Sequence, residues 1–478
     1  MKLKHVIFFC LALPLRNMAE ERPNILWINM DDLGIELGCY NNKDVKTPNI
    51  DRLASQGILY SDCFAASPVC SPSRSSMITG MYPTSINSID HRTMAKTKLP
   101  DGINPITEYF KNAGYFCTNG SGQNMSLEGK SDYNFIVSNL YDDTDWSKRA
   151  KGQPFFAQVQ ITQPHRVFAH DSDNPVNPDA VHLPVCYPDH PLLRADWALY
   201  LETIQNGDKR VGQFLDRLAK EGLADNTIVI LFSDNGRPHL RDKQFLYEGG
   251  LRVPLIIRWP GKIKPGSIDK QLVSLIDVAA TTLSMAGIKK PDYMQGNIFW
   301  GENTVSREYI FGFRQRMGDA VDDSRSISDG HYKLIWNRMP DVPWMQMSGY
   351  KKMMYPAFAL YNLLYQQGKL PAPYNQFMAD KKPEIELYDL NKDPMEFNNL
   401  ANLGKYRKIK SRLFKTLTDS LIVFEKNMIP EKPEFTQEAK DESSTFFVNG
   451  MKGMGLSEKS SYSDIVEYWE NKLLKNKK

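Results

Sequence analysis

Asn24-Ile-Leu-Trp-Ile-Asn29 leads directly to Asp31-Asp32, and Thr227-Ile-Val-Ile-Leu-Phe232 to Asp234-Asn235. Both stretches are apolar at nearly every position rather than at alternate ones, which is how a strand buried on two faces reads. Around them strand-like and helix-like segments alternate. The predicted fold is therefore α/β, a large domain whose mostly parallel mixed sheet is sandwiched by helices. Thr47-Pro48 opens a helix that Gly57 stops, residues 58–64 form a strand, and residues 73–79 form a short helix closed by Gly80. Residues 105–113 give another helix, and 154–161 resume the sheet. Trp197, Leu201, Ile204, Val211, Leu215 and Leu218 recur at helical spacing and predict one long helix. Asp208 falls on that apolar seam, either capping a break near Gly207 or buried as a paired acid. A strand at 253–257 and a helix at 275–286 complete the domain.

Past residue 300 the rhythm changes. Segments 309–313, 331–336 and 386–390 read as strands of an antiparallel sheet, and 405–426 as a helix. The Met/Tyr/Pro-rich stretch 339–376 has no clear period and is expected to be irregular. The Lys/Glu/Ser-rich tail after 430 is expected to be partly mobile. With 478 residues the chain exceeds what one core holds, about 250–300 residues. The expected division is a catalytic domain over 22–300 and a smaller α+β subdomain over 305–478 that completes the pocket.

Lys and Arg number 59 against 56 Asp and Glu, for a formal charge of +3. No global field draws the chain to nucleic acid or to an anionic membrane, so an anionic ligand would be held by a few placed cations. Lys2 and Lys4 precede an apolar run over 6–15, too short to span a bilayer and of the length found in export signals. Residues 1–19 are therefore read as a signal peptide and the mature protein as periplasmic or secreted. No other segment is apolar enough to span a membrane. Export removes Cys10 and leaves Cys39, Cys63, Cys70, Cys117 and Cys186, an odd number without a CxxC pair. No zinc cluster is indicated; one or two disulfides are possible, and the odd cysteine flags one special thiol.

In parallel α/β sheets ligands bind at the carboxyl ends of strands. Asp31, Asp32, Asp234 and Asn235 cluster oxygen donors there, which suits a hard divalent cation, Ca²⁺ ahead of Mg²⁺, although each pair alone could be a turn or a helix cap. Between them lies Pro68-Val-Cys-Ser-Pro-Ser-Arg-Ser-Ser-Met-Ile-Thr-Gly80. Here the chain resembles the type I sulfatases of the alkaline-phosphatase-like superfamily, whose signature Cys-x-Pro-Ser-Arg followed by Thr-Gly it matches at every position.

The resemblance implies that a formylglycine-generating enzyme (maturase) oxidises Cys70 to formylglycine (3-oxoalanine), and that residue 70 joins the four oxygen-bearing residues around the metal. Hydrated formylglycine is a geminal diol. One hydroxyl attacks sulfur, and deprotonation of the other expels sulfate, dividing a difficult hydrolysis into two steps. Residue 70 sits just before the short helix, where free N–H groups favour the developing negative charge. Arg74 matches the signature arginine, Lys130 the lysine of the family's Gly-Lys-x-His element, and Lys243 a further sulfate-binding cation. His165, in Thr162-Gln-Pro-His165, matches the histidine that protonates the leaving oxygen. Asp132 stands where the Gly-Lys-x-His histidine is found, so the proton acceptor on that side departs from the family pattern.

Asp389-Leu-Asn-Lys-Asp-Pro-Met-Glu-Phe-Asn-Asn-Leu400 is similar to the family's C-terminal segment, while Glu36-Leu-Gly-Cys-Tyr and Ala195-Asp-Trp-Ala look like the branch holding heparan N-sulfatase and bacterial polysaccharide sulfatases. The implied substrate is a sulfated carbohydrate, a glycosaminoglycan or algal polysaccharide or its oligosaccharides, cleaved at a sulfate ester or sulfamate. His91, Arg92 and His239 are candidates for contacts to the sugar or simply surface residues. Two readings compete with a sulfatase. One is a formylglycine-dependent phosphonate monoester hydrolase or phosphodiesterase. The other is an inactive sugar-binding homologue in which Cys70 stays a thiol.

Overall fold

The structure, a computed structural model, describes residues 22–475; the expected signal peptide and Cys10 lie outside the described residues. The first part of the chain contributes β1 (Asn24–Met30), α1 (Pro48–Ser55), β2 (Ile58–Phe64), α2 (Cys70–Thr79), β3 (Thr97–Lys98), α3 (Ile106–Asn112), β4 (Phe116–Ser121) and β5 (Phe135–Ile136). Then come β6 (Phe155–Ile161), α4 (Pro191–Lys220), β7 (Thr227–Ser233), α5 (Glu248–Leu251), β8 (Arg252–Arg258), β9 (Ser267–Ser274) and α6 (Leu275–Met285). The last part holds β10 (Ile310–Arg314), β11 (Ser324–Ser328), β12 (Tyr332–Asn337), α7 (Gly349–Met354), α8 (Pro356–Gln366), β13 (Ile385–Asp389), α9 (Arg407–Phe424), α10 (Pro433–Gly453) and α11 (Tyr462–Glu470).

Seven strands form the main sheet in the order β4-β6-β1-β7-β8-β2-β9. The four from β4 to β7 are mutually parallel, and β8 runs antiparallel to both its neighbours. Every residue of β1, β6 and β7 is buried, which explains their continuous apolar reading. Successive side chains of β1 point to opposite faces. Leu26, Ile28 and Met30 join the core under α4 with Leu201 and Ile204, while Ile25 and Trp27 join the core under α2, α3 and α6 with Met77, Phe110 and Leu283. The sandwich expected from the sequence is thus present. So is the second sheet, an antiparallel β10-β11-β12-β13 covered by Leu413, Leu417 and Leu421 of α9.

Several expectations are corrected. The segment 339–376 is not irregular: it contains α7 and α8. The first six residues of α8, Phe358, Leu360 and Tyr361 among them, are all buried, and a helical turn enclosed on every side shows no amphipathic stripe to find. The tail is not loose either, since α10 and α11 dock on the body. In α10 only Ala439, Phe447 and Met451 are buried, too sparse a stripe to outweigh its polar composition. α4 runs unbroken through Gly207, and Asp208 accepts the backbone N–H groups of Asn49 (3.3 Å) and Ile50 (2.8 Å), capping α1 from another helix. All five cysteines among the described residues are free thiols, so no disulfide forms there. No helix among the described residues is long and apolar enough to cross a membrane.

Candidate active site

Strand register assembles the site. β1 and β7 pair in parallel with Met30 opposite Ser233, so Asp31-Asp32 and Asp234-Asn235 leave the sheet side by side. β6 pairs with β1 on the other flank, Ile161 opposite Met30, and delivers His165 to the same edge. Cys70 is the first residue of α2 rather than a residue before it, and all ten residues of that helix are buried. Asp31, Asp32, Cys70 and Asp234 each offer a ligand atom within 4.8 Å of the others. Asn235 donates through Nδ2 to Asp32 at 2.9 Å, while its buried Oδ1 has no partner.

Three cations bind this acidic cluster. Arg74 Nε lies 2.7 Å from Asp234, its Nη2 3.1 Å from Asp31, and its Nη1 donates to Gln160 at 2.7 Å. Lys130 Nζ is 2.8 Å from Asp31. Lys243 Nζ is 2.7 Å from Asp32 and 3.4 Å from Cys70 Sγ. His165 Nδ1 contacts the carbonyl of Arg166 at 2.5 Å, leaving Nε2 3.7 Å from Asp32.

Electrostatics follow from this packing. Burial alone would raise the Asp31 and Asp32 carboxyls, but Lys130 and Arg74 beside the first and Lys243 beside the second hold both below the usual carboxylate range. Asp234 goes the other way, pushed up to about 6 by burial against the pull of Arg74. Burial also pushes the Cys70 thiol up despite Lys130 and Lys243, so the unmodified residue is a neutral thiol rather than a thiolate. Burial, reinforced by Lys243, keeps the His165 imidazole below its ordinary range although Asp32 opposes it.

The cluster opens into a cavity of about 340 Å³ lined by Cys70, His91, Arg92, His165, Lys243 and residues of the C-terminal half. His91 Nδ1 is 3.0 Å from Ser71 Oγ, which also accepts the N–H of Arg92. Asp132 lies 4.0 Å from Lys130 and is held by Arg92 through contacts of 3.1 Å. His239 is not at the cavity. It is buried among Phe168, Tyr187, Trp197 and Tyr200, with Nε2 3.5 Å from Asp196, which corrects its reading as a sugar contact. Sequence reasoning missed Gln160, whose signal was a polar residue at alternate positions of a buried strand. It also missed Arg316, which follows β10, and Tyr350, Glu442 and Phe446, which reach the cavity from segments read as irregular or loose.

Comparison with known proteins agrees with this geometry. The sulfatase family profile matches residues 23–288, and the profile described as N-sulphoglucosamine sulphohydrolase, C-terminal, matches 236–345. An ulvan-active sulfatase of Formosa agariphila is 31% identical over 452 residues, covering 83% of this chain and 74% of its own. Human N-sulphoglucosamine sulphohydrolase is 26% identical over 475 residues, covering 84% and 91%. Among solved structures, one in complex with its substrate D-glucosamine-2-N,6-O-disulfate superposes with TM-score 0.63 at 18% identity, covering 86% of this chain and 100% of that one. A phosphonate monoester hydrolase from Silicibacter pomeroyi gives TM-score 0.61 at 16% identity, covering 84% and 95%, so the fold by itself does not separate the two chemistries. The family profile covers more than half of the chain and the Formosa relative most of it: the protein belongs to the sulfatase family and is a sulfuric ester hydrolase.

Proposed function

We propose that the chain, exported by way of residues 1–19, removes sulfate from a sulfated polysaccharide or its oligosaccharides at residue 70, after a maturase converts Cys70 to formylglycine. The observation that carries this reading is Cys70 at the head of α2, inside a buried ring of Asp31, Asp32 and Asp234 and 3.4 Å from Lys243. The ulvan-active and N-sulphoglucosamine relatives support a carbohydrate substrate.

The donor set fits a divalent cation, Ca²⁺ ahead of Mg²⁺. Its ligands would be Asp31, Asp32, Asp234, residue 70 and the unpartnered Oδ1 of Asn235. Such an ion would supply Lewis-acid polarisation of a sulfate oxygen and a lower pKa at residue 70. Hydrated formylglycine supplies the attacking hydroxyl and a second one whose deprotonation releases sulfate. Arg74 fixes the carboxylates of Asp31 and Asp234 and, through them, the setting of residue 70. Lys130 and Lys243 flank that residue from two sides, positioned to share the charge of the sulfate oxygens. His165 Nδ1–H donates to a backbone carbonyl, which leaves Nε2 as the ring nitrogen free to act on the leaving oxygen; it does so as an acid once the imidazolium forms. His91 and Arg92 line the cavity and take the sugar edge.

Two measurements test this. Peptide mass spectrometry across residue 70 in protein from the native host should find the aldehyde, and a persistent thiol would sink the reading. Steady-state rates on aryl sulfate and aryl phosphate esters, with a panel of sulfated mono- and disaccharides, should favour sulfate. Dominance of phosphate esters in kcat/KM would reassign the enzyme.

A further inference from the structure

One wall of the cavity comes from the part of the chain that reads as a loose tail. Ala439, Glu442, Ser443 and Phe446 lie along one face of α10 at the spacing of adjacent helical turns, and all four line the cavity with Asp319 and Tyr350. The helix is fixed there. A Cβ on Gly450 would meet Met353 Sδ at 1.9 Å, and one on Gly349 would meet Phe447 at 2.7 Å, so α10 and α7 touch at glycines. Just before α10, Glu431 pairs with Arg316 at 2.6 and 2.7 Å and accepts the Thr93 hydroxyl at 2.7 Å. Arg316 also donates to the carbonyls of His91 (3.1 Å) and Gly318 (3.2 Å), tying the helix to both rims of the cavity.

The cavity lining carries charges of both signs. Lys243 and Arg92 line the cavity near Cys70, and Arg316 is spent on Glu431; Asp319 and Glu442 add two carboxylates to the lining. Asp319 spends one oxygen on the N–H of Gly349 at 2.6 Å. Glu442 is exposed and has no ion-pair partner among the described residues. Beside it Phe446 is 52% exposed, a large apolar ring facing solvent at the mouth of an anion-binding cavity.

We infer that this wall selects the sugar. Phe446 receives an apolar ring face, and Glu442 with Asp319 accepts hydroxyl or ammonium donors. The sulfated residue that fits is a neutral or amino hexose, and a sugar bearing a second anion at that edge, such as a uronic acid, is rejected. Two carboxylates brought together repel, whereas a donor in the same place is held. The inference rests on the sulfatase reading and adds the class of sugar to it.

The test uses the full chain carrying the modified residue, with an O-sulfated N-acetylhexosamine and an O-sulfated hexuronic acid as matched substrates. KM for the uronic acid should exceed that for the hexosamine by about tenfold or more, the size of one like-charge contact. Glu442→Gln should narrow the ratio and Glu442→Lys should invert it. Phe446→Ala should raise KM for both sugars. Calorimetric titration of both sugars into Cys70→Ser protein should reproduce these ratios without turnover. Sulfate release with a KM ratio unmoved by either Glu442 variant would overturn this inference alone. Sulfate release from neither sugar by protein that turns over an aryl sulfate would overturn this inference alone, and release from none of the three would count against the proposed activity as well.

Discussion

Lys243 Nζ lies 2.7 Å from both carboxylate oxygens of Asp32 and 3.4 Å from Cys70 Sγ, so one buried cation spans the acidic cluster and the signature cysteine. Lys130 does the same for Asp31 on the other flank, at 3.0 and 2.8 Å. Without an ion, the two lysines and Arg74 neutralise carboxylates that converge at the ends of β1 and β7. A divalent cation entering the ring would take over that neutralisation and release both lysines toward the cavity.

Calcium should therefore stabilise the folded protein. At an ion concentration about 100 times Kd the expected gain is about 2.7 kcal/mol, seen as a rise in Tm that tracks the ion. Asp32→Asn should abolish the concentration dependence while leaving a folded protein, because Lys243 keeps a neutral oxygen partner. A Tm independent of Ca²⁺ and Mg²⁺ in the unsubstituted protein would remove the metal from the proposed site.

Arg74 is fully enclosed and bonds Asp234, Asp31, Gln160 and the carbonyl of Lys130. Arg74→Met keeps the bulk but strands the buried carboxylate of Asp234 and leaves Asp31 with Lys130 alone. Breaking a buried pair in this way costs about 3–5 kcal/mol, so ion-free protein should lose that much stability in a denaturant titration. Sulfate release should fall by at least about 100-fold even where mass spectrometry finds residue 70 converted, as for loss of a preorganised charge at the reacting centre. Wild-type stability together with wild-type rate would show that the carboxylates are not organised by this guanidinium.

The parts of this architecture that were legible in the sequence are those where burial is uniform. β1, β6 and β7 are enclosed along their whole length and read as apolar runs. The acids that end β1 and β7 stand out because they interrupt such runs. β4, β9 and β11 were not read as strands: Phe-Cys-Thr-Asn-Gly-Ser, Ser-Ile-Asp-Lys-Gln-Leu-Val-Ser and Ser-Arg-Ser-Ile-Ser carry neither a full apolar run nor a clean alternation. His239 misled for another reason. The aromatic residues that bury it come from positions 168, 187, 197 and 200, and no local pattern announces a box assembled from such a distance. The cavity wall on α10 was hidden in the same way, because a helix held by glycine contacts and one ion pair needs few apolar residues of its own.

Asp208 shows what a polar residue on an apolar seam can do. It accepts the backbone N–H groups of Asn49 and Ile50 and the Asn49 side chain at 2.8 Å, and burial raises its carboxyl in spite of these bonds. Asp208→Ala leaves the first turn of α1 with buried, unanswered donors. The expected loss is about 1–3 kcal/mol in chemical denaturation, with the rate of sulfate release unchanged below the transition. Asp208→Asn, which keeps one acceptor oxygen, should recover part of it. A loss as large for Asn as for Ala would mean that the charge, not the cap, does the work.

The His239 box gives the protein an acid-sensitive joint away from the reacting atoms. Burial holds the His239 imidazole below its ordinary range although Asp196 at 3.5 Å favours its charged form. Asp196 is held well below the usual carboxylate range: burial opposes this, but Arg166, bonded to it at 2.8 and 2.6 Å, outweighs it. Each group has a lower pKa folded than unfolded, so on acidification the unfolded chain takes up protons that the folded chain refuses. Stability from His239 is complete above the unfolded imidazole value of about 6.5 and is lost as pH falls below it, at up to about 1.4 kcal/mol per pH unit. The Asp196 contribution disappears only below about pH 4, where an unfolded aspartate protonates. Urea titrations between pH 7 and 5 should therefore show falling stability in the wild type and a shallower slope in His239→Gln, whose side chain cannot take up the proton. Coincident slopes would assign the acid sensitivity of this range to other groups.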